Sequence, residues 1–146
     1  DIMSTVENLE FYFKRINDAM ISYANNELKE LDLTFSQMEV ISFLIENKDK
    51  KIYQKDIERY FNLSHPTVIG LLKRLQTKEL ISINISSEDR RKRNIELTDK
   101  VFDIKEKMNC KMKEMEKYVR RFLDDDELTE LERLLRIICE NVIYNL

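Results

Sequence analysis

The sequence has almost none of the residues that interrupt regular structure: Gly70 and Pro66 are its single glycine and single proline in 146 residues. Glycine supplies turn conformations and proline stops helices. Their scarcity excludes a loop-rich architecture and predicts long helices with few turns. Histidine is nearly absent as well, with His65 alone. One histidine cannot make a His-based catalytic pair or a histidine metal cluster. No nucleophile, base and oxyanion donor converge in the pattern either, so no catalytic residue, metal site or cofactor is expected. Cys110 and Cys139 are too few for a disulfide framework. They read as buried structural cysteines in a reducing cytoplasm rather than as a redox switch. No apolar run approaches the roughly 18 residues of a membrane span, and no h-region marks a secretory signal. A cytoplasmic protein without a membrane partner is expected.

What the chain does have is charge. Apolar residues make up 42% and charged residues 36%, as in a soluble, helix-rich single domain. The net charge of −3 hides an uneven distribution. From Asp1 to Asn47, 3 basic and 9 acidic residues give −6; from Lys48 to Arg93, 12 and 6 give +6; from Asn94 to Leu146, 10 and 13 give −3. A basic middle between acidic flanks is the footprint of a polyanion-binding module. The bland alternative is chance clustering on a solvated surface.

Hydrophobic spacing lays out the elements. Val6, Leu9, Phe13, Ile16, Met20, Ala24 and Leu28 step by three and four, predicting a long amphipathic helix over residues 5–30. Thr34, with Gln37 three residues on, forms a capping box for a second helix. Its apolar face is Met38, Ile41, Leu44 and Ile45. A short helix in YQKDIERYF, the turn NLS and an amphipathic helix in HPTVIGLLKRLQTK make a helix-turn-helix pattern. Ser64 suits the N-cap of the latter, and Pro66 is tolerated where N–H groups have no intrahelical partner. LISINI and NIEL then alternate with a period of two, predicting a β-hairpin with SSEDRRKRN at its tip. Thr98 as cap and Asp99 at the positive end of the macrodipole start another helix. It carries Val101, Ile104, Met108, Met112, Met115, Val119 and Phe122, a stripe that reads as core. The acidic run from Asp124 to Glu127 begins the last helix, with Leu128, Leu131, Leu135, Ile138 and Val142. The first helix and the last two are more apolar than one small core requires. A second copy of the chain is the expected cover.

Two stretches carry candidate chemistry. With Val68, Leu71, Leu72 and Leu75 turned inward at about 100° per residue, the opposite side of that helix is Pro66, Gly70, Lys73 and Thr77, flanked by Thr67 and Arg74. A mid-helix glycine costs about 1 kcal/mol relative to alanine, and no turn needs it there. A bare backbone lets another surface come close, and beside cations and hydroxyls that surface fits a DNA major groove. The competing view is an ordinary solvated face. The hairpin tip places Arg90, Arg91, Lys92 and Arg93 side by side. Clustered cations suit phosphates, and arginine is drawn into narrow, A·T-rich minor grooves. Asp89 is expected to hold a neighbouring guanidinium in a chosen direction. Here the competing view is a solvated turn that only prevents edge pairing. The candidate DNA-binding set is Ser64, His65, Pro66, Thr67, Ile69, Gly70, Lys73 and Arg74 from the helix, with Asp89, Arg90, Arg91 and Lys92 from the tip.

LTFSQMEVISFL, QKDIERYFNLSHPTVIGLLKRLQTKELI and SSEDRRKRNIELTDK resemble, in order and spacing, the signature of the MarR (multiple antibiotic resistance regulator) family of bacterial transcription factors. The resemblance covers nearly the whole chain, and Leu63 to Lys100 is its specific part. It implies a mainly α fold with a small β-hairpin wing: a winged helix-turn-helix domain with long N- and C-terminal dimerisation helices. The whole of 1–146 is then one MarR-like domain, with 1–31 and 99–146 as dimerisation helices and 34–98 as the winged lobe. It further implies a homodimer on double-stranded DNA at a pseudo-palindromic operator, acting as a repressor released by a small-molecule effector of aromatic or phenolic type. On that pattern the helix from His65 to Lys78 reads the major groove, and Arg91, positioned by Asp89, enters the minor groove. Tyr12, Tyr23, Phe11 and Phe43 can line an effector pocket, although their spacing does not define one. Some positions depart from the family pattern. Ile69 and Gly70 stand where Thr-Arg is common, so the family's base preference does not carry over. Glu79 and Val101 replace glycines at either end of the wing, which suggests a slightly different backbone at both joints.

The alternative function is a winged-helix interaction module whose basic lobe grips an acidic protein. Affinity for random duplex DNA at low salt separates the two.

Overall fold

The computed structural model describes residues 8–145. Val6, expected to open the first apolar stripe, lies outside them. In chain order the elements are α1 (Leu9–Glu27), a 3-10 turn (Leu28–Leu31), α2 (Phe35–Glu46), α3 (Gln54–Phe61), α4 (His65–Thr77), β1 (Ile81–Ile85), β2 (Arg93–Leu97), α5 (Lys100–Arg120) and α6 (Asp125–Tyr144). This is the mainly helical architecture with a small antiparallel hairpin that the spacing predicted. Two compact units divide the chain inside α5, one ending at Lys111 and the other beginning at Met112.

In the first unit the core is made by α2, α3, α4 and the hairpin. Met38, Ile41, Leu44, Ile57, Val68, Leu72, Leu75, Ile81 and Ile95 are all buried. Thr34 and Gln37 form the expected capping box, with reciprocal bonds of 3.2 Å each way. α1 packs only through its C-terminal end: Ala24 and Leu28 are buried, whereas Leu9, Phe13, Ile16 and Met20 stay exposed. Phe43 lies in contact with Tyr60 and Phe61, at ring separations of 4.5 and 5.8 Å. It is part of the lobe's interior.

The hairpin pairs Ile81 with Leu97 through Ile85 with Arg93. A third short segment joins it, for Tyr53 bridges to Asn94 and the Ile95 N–H donates to the Ile52 carbonyl at 2.8 Å. The wing is thereby anchored along β2 to the chain entering α3.

The C-terminal end of α4 is tied down on several sides. Lys78 Nζ donates to the Asp32 carbonyl and, at 2.8 Å, to Gln37 Oε1. The Lys78 carbonyl in turn accepts from Lys100 Nζ at 3.1 Å. Thr98 does not cap α5 through its side chain as expected. Its hydroxyl donates to the Glu79 carbonyl at 2.5 Å, closing the joint between α4 and α5. Glu79 itself sits at φ 61°. The backbone there is the left-handed one that glycine favours, which glutamate holds at a strain of about 1 kcal/mol.

In the second unit α6 is capped by Asp124 and Glu127 in a capping box. Its apolar residues, including Leu131, Leu134, Leu135, Ile138 and Val142, are exposed. Cys110 on α5 and Cys139 on α6 are exposed too, a correction to the expectation of buried cysteines. Both lie on helix faces that the chain's own core does not cover. Among the described residues no helix is long and apolar enough to cross a membrane, and no cluster of metal-ligating side chains occurs.

Candidate nucleic-acid interface

The turn between α3 and α4 follows from local chemistry. Asn62, at φ 51°, takes the left-handed conformation that asparagine tolerates. The Leu63 N–H then closes onto the Glu58 carbonyl at 3.0 Å. Ser64 caps α4, its Oγ accepting from the Thr67 N–H at 3.4 Å and lying 2.8 Å from the Thr67 hydroxyl. Across the turn His65 Nδ1 is 2.8 Å from Gln54 Nε2 and 3.0 Å from Glu58 Oε1. These contacts use one ring nitrogen and leave Nε2 for a partner outside the chain.

α4 buries Val68, Leu71, Leu72 and Leu75 and turns Thr67, Ile69, Lys73 and Arg74 outward. Gly70 is half-exposed, and a Cβ built there would meet only Arg74 Nη1, at an ordinary 3.8 Å. Nothing inside the protein requires glycine at that place.

The wing tip is ordered by its own hydrogen bonds. The Ser86 N–H donates to the Lys92 carbonyl and the Lys92 N–H to the Asp89 carbonyl, each at 2.9 Å. Asp89 Oδ1 accepts from the main-chain N–H of Arg91 at 3.0 Å. The carboxylate therefore positions Arg91 through its backbone, a correction to the expected bond to a guanidinium. Two outer contacts hold the tip to the segment before α3. Lys51 Nζ lies 2.6 Å from Glu88 Oε1, and Lys92 Nζ lies 5.1 Å from the centre of the Tyr53 ring. The hydrogen bond from Lys51 holds the Glu88 carboxyl below its ordinary pKa and raises that of Lys51.

Helix and wing meet in a single cleft of about 750 Å³, into which α4 contributes His65, Ile69 and Lys73 and the tip contributes Asp89, Arg91 and Lys92. The two basic elements thus open the same way. Residues 31–92 match the model of the MarR family. The chain is 29% identical to the transcriptional regulator SarA of Staphylococcus aureus over 86 residues, spanning 53% of this chain and 69% of that protein. Its fold superposes on the S. aureus MepR–DNA complex with a TM-score of 0.83, at 25% identity, over 92% of this chain and 98% of MepR. The transcription regulator MarR from Oenococcus oeni matches at 28% identity with a TM-score of 0.70, over 91% and 99% of the two chains.

Over residues 31–92 the chain is similar to the MarR family.

In this MarR-like lobe, several residues lining the cleft were missed from sequence. Gln54, Lys55 and Arg59 of α3 line it, as do Gln76 of α4 and Arg93 of β2. A signal for Arg93 was available. Side chains of a strand alternate, which puts Arg93 on the same side as Ile95, and both line the cleft. Lys55 and Arg59 are four apart and share one helix face, a pairing that the search for a recognition helix overlooked. Ser64, Pro66, Thr67, Gly70, Arg74 and Arg90 lie outside the cleft lining. All but the half-exposed Gly70 are exposed, on the flank of α4 or at the wing tip.

Proposed function

We propose that this chain is a DNA-binding transcriptional regulator of MarR type, working as a homodimer on a pseudo-palindromic operator. Residues 34–98 are the reading lobe, with 1–31 and 99–146 supplying the assembly helices. α4 enters the major groove through Ser64, His65, Pro66, Thr67, Ile69, Gly70, Lys73 and Arg74. Asp89 presents Arg91 to the adjacent minor groove, while Arg90 and Lys92 hold phosphates. Occupancy of a promoter by such a dimer blocks polymerase, which makes repression the expected direction.

The single observation that carries this reading is the shared cleft between α4 and the wing. A duplex laid against α4 meets the arginine tip without rearrangement of the lobe, so the ordering of both elements is already complete before binding. The tip supplies charge for affinity, and the helix supplies base-edge contacts for specificity.

Fluorescence anisotropy with labelled duplexes across a salt series tests it. Binding should weaken steeply as salt rises, and Arg91→Ala should lose about tenfold to a hundredfold in operator affinity with the dimer intact. Undetectable binding to duplex DNA at low salt would sink the reading and favour an acidic protein partner instead.

A further inference from the structure

Resting on the DNA-binding reading above, we propose that Ile69 is a specificity-determining residue, selecting a thymine in each half-site by packing against its 5-methyl group. Ile69 is 44% exposed although the buried stripe of α4 is complete without it. A β-branched residue is a mediocre helix former, and water rewards no exposed isoleucine. Leu72, Ile83 and Ile95 line the same cleft and account for its covered part, but not for the 44% left open to a partner.

Its surroundings do. His65 and Lys73 stand four residues to either side, on the same helix face, and all three line the cleft with Arg91. Ile69 is therefore the apolar centre of a polar, cationic row. Phosphates attract the cations and give isoleucine nothing. Base edges in the major groove present donors and acceptors, which an apolar side chain would strip of water without pairing. Thymine alone adds a methyl group there. At the adjoining Gly70 only the movable end of Arg74 lies near, 3.8 Å from where a Cβ would stand, which lets the helix backbone approach closely enough for van der Waals contact.

The test starts from a duplex selected by the intact protein from a random-sequence library. Each thymine is replaced singly, and then in symmetric pairs, by deoxyuridine, which lacks only that methyl. Anisotropy is measured with the parent, Ile69→Val and Ile69→Ala. One thymine per half-site should prove sensitive, its loss weakening the parent about fourfold, the factor carried by one buried methyl. Ile69→Val should keep that sensitivity. Ile69→Ala should bind the thymine duplex more weakly and be indifferent to uracil. If every uracil duplex binds the parent within experimental error of its thymine counterpart, or if Ile69→Ala still discriminates, the inference is overturned while DNA binding stands. If no duplex is selected at all, the DNA-binding reading falls and takes this inference with it.

Discussion

α4 and α6 carry leucine, isoleucine and valine at the same three-and-four spacing. In α4, Val68, Leu71, Leu72 and Leu75 are between 0% and 7% exposed. In α6, Leu131, Leu134, Leu135, Ile138 and Val142 are between 36% and 52% exposed. Periodicity thus locates an apolar face without saying what covers it. The face of α4 is covered by its own lobe, through α2, α3 and the hairpin. The face of α6 is left bare within one chain, a patch of the kind that marks an interaction site, and the homodimer proposed above gives it a cover.

The comparison can be broken most severely at Leu135. Leu135→Glu puts a charge into that face and should weaken dimerisation at least about a hundredfold, turning dimer into monomer in sedimentation velocity while the winged lobe stays folded. Leu75→Ala, by contrast, should destabilise the lobe by about 2–5 kcal/mol in chemical denaturation, whatever the protein concentration. Equal dependence of both variants on concentration would erase the distinction between the two helices.

Smaller changes sharpen it along α4 itself. Gly70→Ala should stabilise the fold by about 1 kcal/mol, because the added Cβ meets only Arg74 at 3.8 Å. It should weaken operator binding at the same time, measured by denaturation and anisotropy side by side. Glu79→Gly should raise stability by about 1 kcal/mol by relieving the left-handed residue and leave DNA affinity unchanged. The smallest effect concerns the wing. The folded-state pKa of Glu88 is lowered by its bond from Lys51. The contribution of that bond is present above the ordinary value of 4.5 and is lost as pH falls through the lowered one. NMR shifts of the tip should therefore titrate with a midpoint below 4.5, and Glu88→Gln should abolish that transition.

Much of this was legible in the sequence because the signals were local. The Thr34–Gln37 box, the stripe of α4, the Ser64 cap and the alternation of the hairpin each depend on residues within a few positions of one another. What was missed depends on partners distant in the chain. The bridge from Tyr53 to Asn94 is a single isolated pair, too short to show a period. Thr98 had the look of a cap, but its hydroxyl is placed to donate to the Glu79 carbonyl, nineteen residues back. Asp89 was assigned to a guanidinium because charge suggested it, whereas a tight turn placed a backbone N–H closer. Glu79 misled in another way: a residue poorly suited to the left-handed region holds that conformation because the bonds from Thr98 and the return of the chain into β1 fix it. The cysteines were misjudged because they sit on helices with apolar faces that the chain's own core leaves exposed.

The fastening at Lys78 has a mechanical consequence. Its ammonium grips the corner between α1 and α2, while the start of α5 holds the carbonyls of Lys78 and Glu79. The C-terminal end of α4 is consequently pinned to the corner before α2 and to the entry of α5. Moving either attachment would have to break these bonds or carry the end of α4 with it.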